Sequence, residues 1–158
     1  MRLAVTGHRG LPGPTERLVD AALRDLLAAR ADAHLVGLSC IADGADALFA
    51  RAVLDAGGSL VVVVPAAKYR GALPGSHHPV YDDLLSRAAE VVALDHVEPD
   101  PAAYLDASLR MLDRADELVA VWDGRPARGH GGTADVVGEA GRRGMPVTVV
   151  WPDGATRD

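Results

Sequence analysis

Six short apolar runs, rich in valine and without polar alternation, constrain this chain more than any other feature. They are Leu3 to Thr6, Leu35 to Leu38, Leu60 to Val64, Val91 to Leu94, Leu118 to Trp122 and Val147 to Trp151. A strand with one wet face alternates apolar and polar residues, whereas a strand covered on both faces does not. The runs therefore predict a sheet buried between two layers. Amphipathic segments separate them. Val19, Ala22, Leu23, Leu26 and Leu27 form one helical stripe, with Thr15 placed to cap it. Ala45, Leu48, Phe49, Ala52 and Val53 form a second, ending at Gly57-Gly58. Further helices are predicted over 79–89, 101–114 and 133–143, the last ended by Gly144, with Pro146 leading into the final strand. Strand and helix repeating in this way imply right-handed crossovers and a parallel sheet. The prediction is a three-layer α/β domain with helices on both faces of an open parallel sheet.

The 158 residues suit one domain, drawn here as 1–152 with a frayed tail over 153–158. Sixteen basic residues face 22 acidic ones, a formal charge of −6, and aromatics are only 4%. Both figures argue against a nucleic-acid or membrane-surface binder. Cys40 is the one cysteine, so no internal disulfide forms, and it reads as a small buried hydrophobe. No Cys/His spacing suits zinc: His77 and His78 are adjacent, and His8 meets His130 only if their loops touch. No metal site is expected. The first residues carry too short an apolar run for a signal peptide, and no stretch approaches a membrane span. A soluble, cytoplasmic protein is the expectation.

In open parallel sheets, ligands bind beyond the carboxyl ends of the strands, where helix N-termini converge. Four segments should meet there. After the first strand come Gly7, His8 and Arg9, the glycine allowing close approach of a ligand and the arginine offering a planar fork to phosphate. After the second come Ala42, Asp43, Gly44 and Asp46; either carboxylate can accept ribose hydroxyls, although Asp43 also suits a helix cap. The loop Asp123 to Thr133 carries Arg125, Arg128 and the run Gly131-Gly132-Thr133, an N–H cradle for an anion at a helix start. It lacks the Gly-Lys-Ser/Thr ending of a Walker loop and the GxGxxG spacing. After the third strand, Lys68 and Arg70 can reach phosphate and Tyr69 can stack on a base, while 66–79 reads as a mobile lid. Arg9, Lys68, Arg70, Arg125 and Arg128 thus fall in loops expected at one edge. That pattern suits a small anion in a cleft rather than a long polyanion.

Val5 to Arg9, Gly37 to Asp46 with Ala50 to Gly57, and Gly131 to Val137 with Ala140 and Gly144 to Val147 together resemble the SLOG superfamily. This Rossmann-like group includes the LOG phosphoribohydrolases and the DprA/Smf DNA-processing proteins, and the last stretch is similar to its YspA/YpsA-related branch. The resemblance implies a nucleotide or nucleotide derivative such as AMP or ADP bound over the sheet edge, and a homodimer joined through helices at 79–89 or 101–114. Aligning Gly132-Thr133 with the LOG motif puts Val136 where that motif has its catalytic glutamate, and Asp135 one residue early, about 100° around a helix. Three readings stand in order. The first is a nucleotide-binding protein. The second is an N-glycosidic hydrolase of nucleoside monophosphates assisted by Asp135 or Glu139, with Arg128 holding phosphate. The third is a DprA-like DNA-processing module.

Overall fold

The computed structural model describes residues 1–30, 34–126 and 132–157. Six strands form one all-parallel open sheet: β1 (Arg2–Gly7), β2 (Val36–Ser39), β3 (Ser59–Ala66), β4 (Glu90–His96), β5 (Glu117–Val121) and β6 (Val147–Val150). Their order across the sheet is β4-β3-β2-β1-β5-β6. This is the predicted Rossmann-like α/β class. The apolar runs of the four interior strands have a physical reason, whereas those of the edge strands β4 and β6 leave Val91 and Val149 about half exposed. Leu3 and Val5 pack with one layer of helices while Ala4 packs with the other, so both faces of the strand are covered.

Helices α1 (Gly13–Arg30) and α2 (Ala45–Asp55) pack on each other and share a cluster with Leu3, Val5, Val119 and Val121. Phe49, 0% exposed, is the largest side chain there. Between β3 and β4 lie the one-turn α3 (Tyr69–Ala72) and α4 (His78–Ser86), the latter leaning on α2. Helices α5 (Pro101–Asp113) and α6 (Thr133–Arg142) supply Ala107, Met111, Leu112, Val136 and Ala140 to the second cluster. Asp100 caps α5 by accepting the Ala103 N–H at 2.9 Å. Gly57 and Gly144 take positive φ just past α2 and α6, as their positions predicted.

Three local expectations change. Thr15 does not cap α1, because the helix starts two residues earlier, at Gly13; its hydroxyl instead donates to the Thr156 carbonyl at 2.8 Å. The Thr156 N–H donates back at 2.9 Å. Residues 153–157, read as a frayed tail, are therefore tied to the first turn of α1. The segment 66–79 is not an open lid either. Tyr69, Leu73 and His77 are buried along it, and the His77 Nε2–H donates to the Ile41 carbonyl at 2.9 Å. Three buried anchors in nine residues hold such a segment down. No helix among the described residues is long and apolar enough to cross a membrane.

Candidate functional site

Strands β1 to β4 step away from β1 on one side and β5 to β6 on the other, so the chain reverses between β1 and β5. Ligands of open α/β sheets bind at such a switch point. Here a cleft of about 520 Å³ opens over the ends of β1 and β5, a size usual for small-molecule sites. The N-terminal ends of α2 and α6 both reach it, through Asp46 and through Gly132 to Ala134.

The α6 end fits an anion. Gly132 is the extended residue before the helix, and Thr133 is its first residue, buried to 9% exposure. First-turn N–H groups have no intrahelical carbonyl to take them, and the helix dipole adds about half a positive charge there. Gly131, Arg128 and His130, which sequence reasoning placed beside them, lie outside the described residues. Arg125 and Arg157 border the same cleft.

The α2 end carries a carboxylic acid. Burial raises Asp46 from 3.8 to about 7, against the opposing N–H of Ala42 and the charge of Arg9. Its backbone is fixed by the Ser39 hydroxyl, which donates to the Asp46 carbonyl at 3.0 Å and accepts the Ile41 N–H at 3.0 Å. Ile41 itself has φ +49, a conformation that β-branched residues rarely take. Ser39 and His77 grip it from both sides, and strain held this way is common beside binding sites. Burial also pushes the Cys40 thiol and the Tyr69 phenol well up, so both stay protonated at neutral pH. Cys40 is the small buried hydrophobe expected, and a thiol held neutral is a poor nucleophile.

The predicted site residues separate into two groups. Gly7, His8, Arg9, Ala42, Asp46, Gly132 and Thr133 all border the cleft. Asp43 and Gly44 border a neighbouring groove instead. Asp43 does not cap α2, whose preceding residue is Gly44 with no side-chain cap. It accepts from Arg9 Nε and from the Gly10 N–H, both at 3.0 Å. Burial alone would lower the Arg9 guanidinium, but the Asp43 charge outweighs it and holds Arg9 above its ordinary value. Gly7, besides bordering the cleft, is needed for packing: a Cβ there would collide with the Ala45 Cβ.

Asp123 stands outside the cleft lining. Its carboxylate accepts the Arg125 N–H at 3.0 Å and lies 3.3 Å from His8 Nε2 and 3.5 Å from Arg157. Burial pushes it upward, but these three groups more than offset that and leave it below the usual range. It organises neighbours. The Asp123 N–H also lies 3.1 Å from His8 Nε2, so the backbone and the carboxylate of Asp123 both meet the same ring nitrogen.

Several cations and acids lie elsewhere than expected. Lys68 pairs with Glu98 at 2.8 Å and Arg70 with Asp82 at 2.8 Å, both on the open surface away from the cleft. Tyr69 does border the cleft, but it is 2% exposed and packs edge-on against Tyr81 and Tyr104, which leaves it little surface for a base. Asp135 and Glu139 border a groove between α5 and α6, and Glu139 is bound by Arg142 and Arg143. Sequence reasoning missed Tyr104, Ser108 and Met111 of α5, and Arg157. Their helix was legible, but nothing local says that it crosses back over the sheet. No cluster of three metal-binding side chains occurs among the described residues.

No protein-family model matches the chain, and no curated protein matches it by sequence. Solved structures do match. DNA processing protein A from Streptococcus pneumoniae aligns at TM-score 0.68 and 16% identity, over 97% of this chain and 51% of that one. Its Helicobacter pylori counterpart, described for its single-stranded DNA binding mode, aligns at 0.70 and 14%, over 99% and 68%. The Moco carrier protein of Chlamydomonas rheinhardtii aligns at 0.56 and 15%, over 94% and 74%. This chain therefore spans about half the length of the first of these proteins. At such identities the likeness is one of fold: the open, parallel, Rossmann-like sheet just described.

Proposed function

We propose that this chain binds a nucleotide or nucleotide derivative, with AMP and ADP the simplest candidates. The ligand's phosphate lies at Gly132 and Thr133, and its sugar or base extends toward Asp46. The observation that carries this is the cleft at the β1–β5 switch point, bordered by a helix N-terminus at α6 and a lone carboxylic acid at α2. The two helices follow strands that flank β1, about 10 Å apart at the usual strand spacing. Tyr104, Met111 and Trp122 give the cleft apolar wall between those polar ends. The resemblance to the SLOG superfamily supports the same ligand class, as does the fold shared with DNA processing protein A and the Moco carrier protein.

Calorimetry with AMP, ADP, ATP, cyclic nucleotides and NAD-related compounds tests the reading. Saturable binding to one of them is expected, and heats of dilution alone at millimolar ligand would end it. Binding is favoured over glycosidic hydrolysis because Asp135 and Glu139 border another groove and Val136 is 2% exposed in the core. Release of free base from nucleoside monophosphates would reverse that order.

A second reading, single-stranded DNA binding, draws on the fold shared with the Helicobacter pylori protein. The charge of −6 and the ion pairs that occupy Lys68 and Arg70 argue against it. A salt-sensitive gel shift on single-stranded DNA would favour it. The homodimer implied by the resemblance is tested by light scattering.

A further inference from the structure

Four arginines are candidates to meet a phosphate in this cleft, and Arg128 lies outside the described residues. The other three differ in how they are held. Arg9 is locked: Nε and Nη2 lie 3.0 and 2.9 Å from Asp43 Oδ1, and Asp43 is itself fixed by the Gly10 N–H. Arg125 is exposed, so ordering its long side chain costs rotamer entropy on binding. Arg157 is neither locked nor loose. Its side chain is only 19% exposed, yet its contact with Asp123 is 3.5 Å, well beyond the 2.7–2.9 Å of a strong charge-assisted bond. If Arg157 turns away, Asp123 keeps the Arg125 N–H and His8 as partners, so no buried charge is abandoned.

The backbone that presents Arg157 is anchored one residue earlier. Thr156 and Thr15 exchange two hydrogen bonds, at 2.8 and 2.9 Å, which ties the C-terminal segment to α1. Before that, Trp151 packs edge-on against His8 at 5.5 Å between ring centres. The segment thus crosses from β6 to the cleft along fixed points and ends on a half-committed guanidinium.

We propose that Arg157, delivered by this pinned C-terminal segment, is the arginine that grips the ligand's phosphate. The assignment rests on the nucleotide reading above, and it makes the segment after β6 part of the site. On binding, the guanidinium exchanges its long contact with Asp123 for two short bonds to phosphate oxygens, the planar match that arginine offers. Thr15, which does not border the cleft, is then a positioning residue.

The test uses the full chain and a panel of AMP, GMP, CMP and UMP, titrated at low and moderate salt. Tryptophan fluorescence provides the readout, since Trp122 borders the cleft and Trp151 touches His8. Arg157→Ala is expected to weaken the tightest monophosphate by about tenfold to a hundredfold and to flatten its salt dependence. Arg157→Lys should recover part of the loss. Thr15→Val, which cuts the pin but leaves the charge, should weaken binding by an intermediate factor with the salt dependence kept. Thermal unfolding of each variant confirms an intact fold. An Arg157→Ala protein within twofold of wild type overturns the assignment, as does a loss with unchanged salt dependence. Failure of wild type to bind any of the four, or ADP, ATP, cyclic nucleotides and NAD-related compounds, refutes the nucleotide reading itself, and the assignment falls with it.

Discussion

Arg9 and Asp43, 34 residues apart in sequence, meet as an ion pair at 2.9 Å, and the same carboxylate takes the Gly10 N–H at 3.0 Å. Asp43 thereby fastens the loop after β1 to the loop after β2. Replacing it with Ala removes a half-exposed ion pair and one loop hydrogen bond. The expected loss is about 1–2 kcal/mol. Thermal unfolding reads this as a fall of roughly 2–4 °C per kcal/mol. An unchanged midpoint would show that the clasp contributes nothing.

The Asp46 carboxyl, raised by burial to about 7, makes a signed prediction. An acid whose folded value exceeds its unfolded one binds its proton more tightly when folded. Its contribution is therefore most favourable below the ordinary value of 3.8, falls as pH rises toward about 7, and is flat above. Asp46→Asn should abolish this slope and make the protein more stable than wild type at pH 8, by at most about 4 kcal/mol. Urea unfolding at pH 5 and pH 8 measures it. Parallel pH profiles for the two proteins would refute the buried-acid account.

Gly7 and Gly71 make a contrasting pair. At Gly7 an added Cβ meets the Ala45 Cβ at 2.4 Å and the Val121 Cβ at 2.8 Å, both on fixed elements of the core. Gly7→Ala should cost about 1–3 kcal/mol from overpacking. Gly71, in α3, has nothing within 4 Å of such an atom, so Gly71→Ala should be neutral or stabilise by up to about 1 kcal/mol. Equal effects at both sites would contradict the packing role of Gly7.

The resemblance to the LOG motif would align Val136 with a catalytic glutamate, but Val136 is 2% exposed and belongs to the cluster of Ala107, Met111 and Ala140. Val136→Glu should therefore fail to create a hydrolase. It buries a carboxyl without a partner and should destabilise the fold by about 3 kcal/mol or more. Measurable base release by a stably folded Val136→Glu protein would overturn this placement.

The architecture was legible because it is written in periodicity. Unbroken runs such as Leu60 to Val64 are tolerated only between two apolar layers, and stripes such as Val19, Leu23 and Leu27 require a covered helix face. The half-site around Gly7 to Arg9, Ala42, Asp46, Gly132 and Thr133 was legible for a related reason. Loops after parallel strands share one edge whatever their detail. Partner choice was not legible. Asp43 is as good a cap as any aspartate in isolation, and only the fold brings Arg9 to it. Lys68 and Arg70 sit at the correct edge, yet Glu98 and Asp82 hold them outside the cleft.

By itself, the sequence determined the layers, the parallel sheet and the edge at which chemistry can occur, since hydrophobic period and strand–helix alternation are local patterns. Tertiary structure decided which charges remain available there. It paired Arg9 with Asp43, sank Asp46 until its carboxyl titrates near neutrality, and brought Arg157 across from the far end of the chain. Those outcomes depend on distances between groups remote in sequence and on the water excluded around them, and no local pattern encodes either.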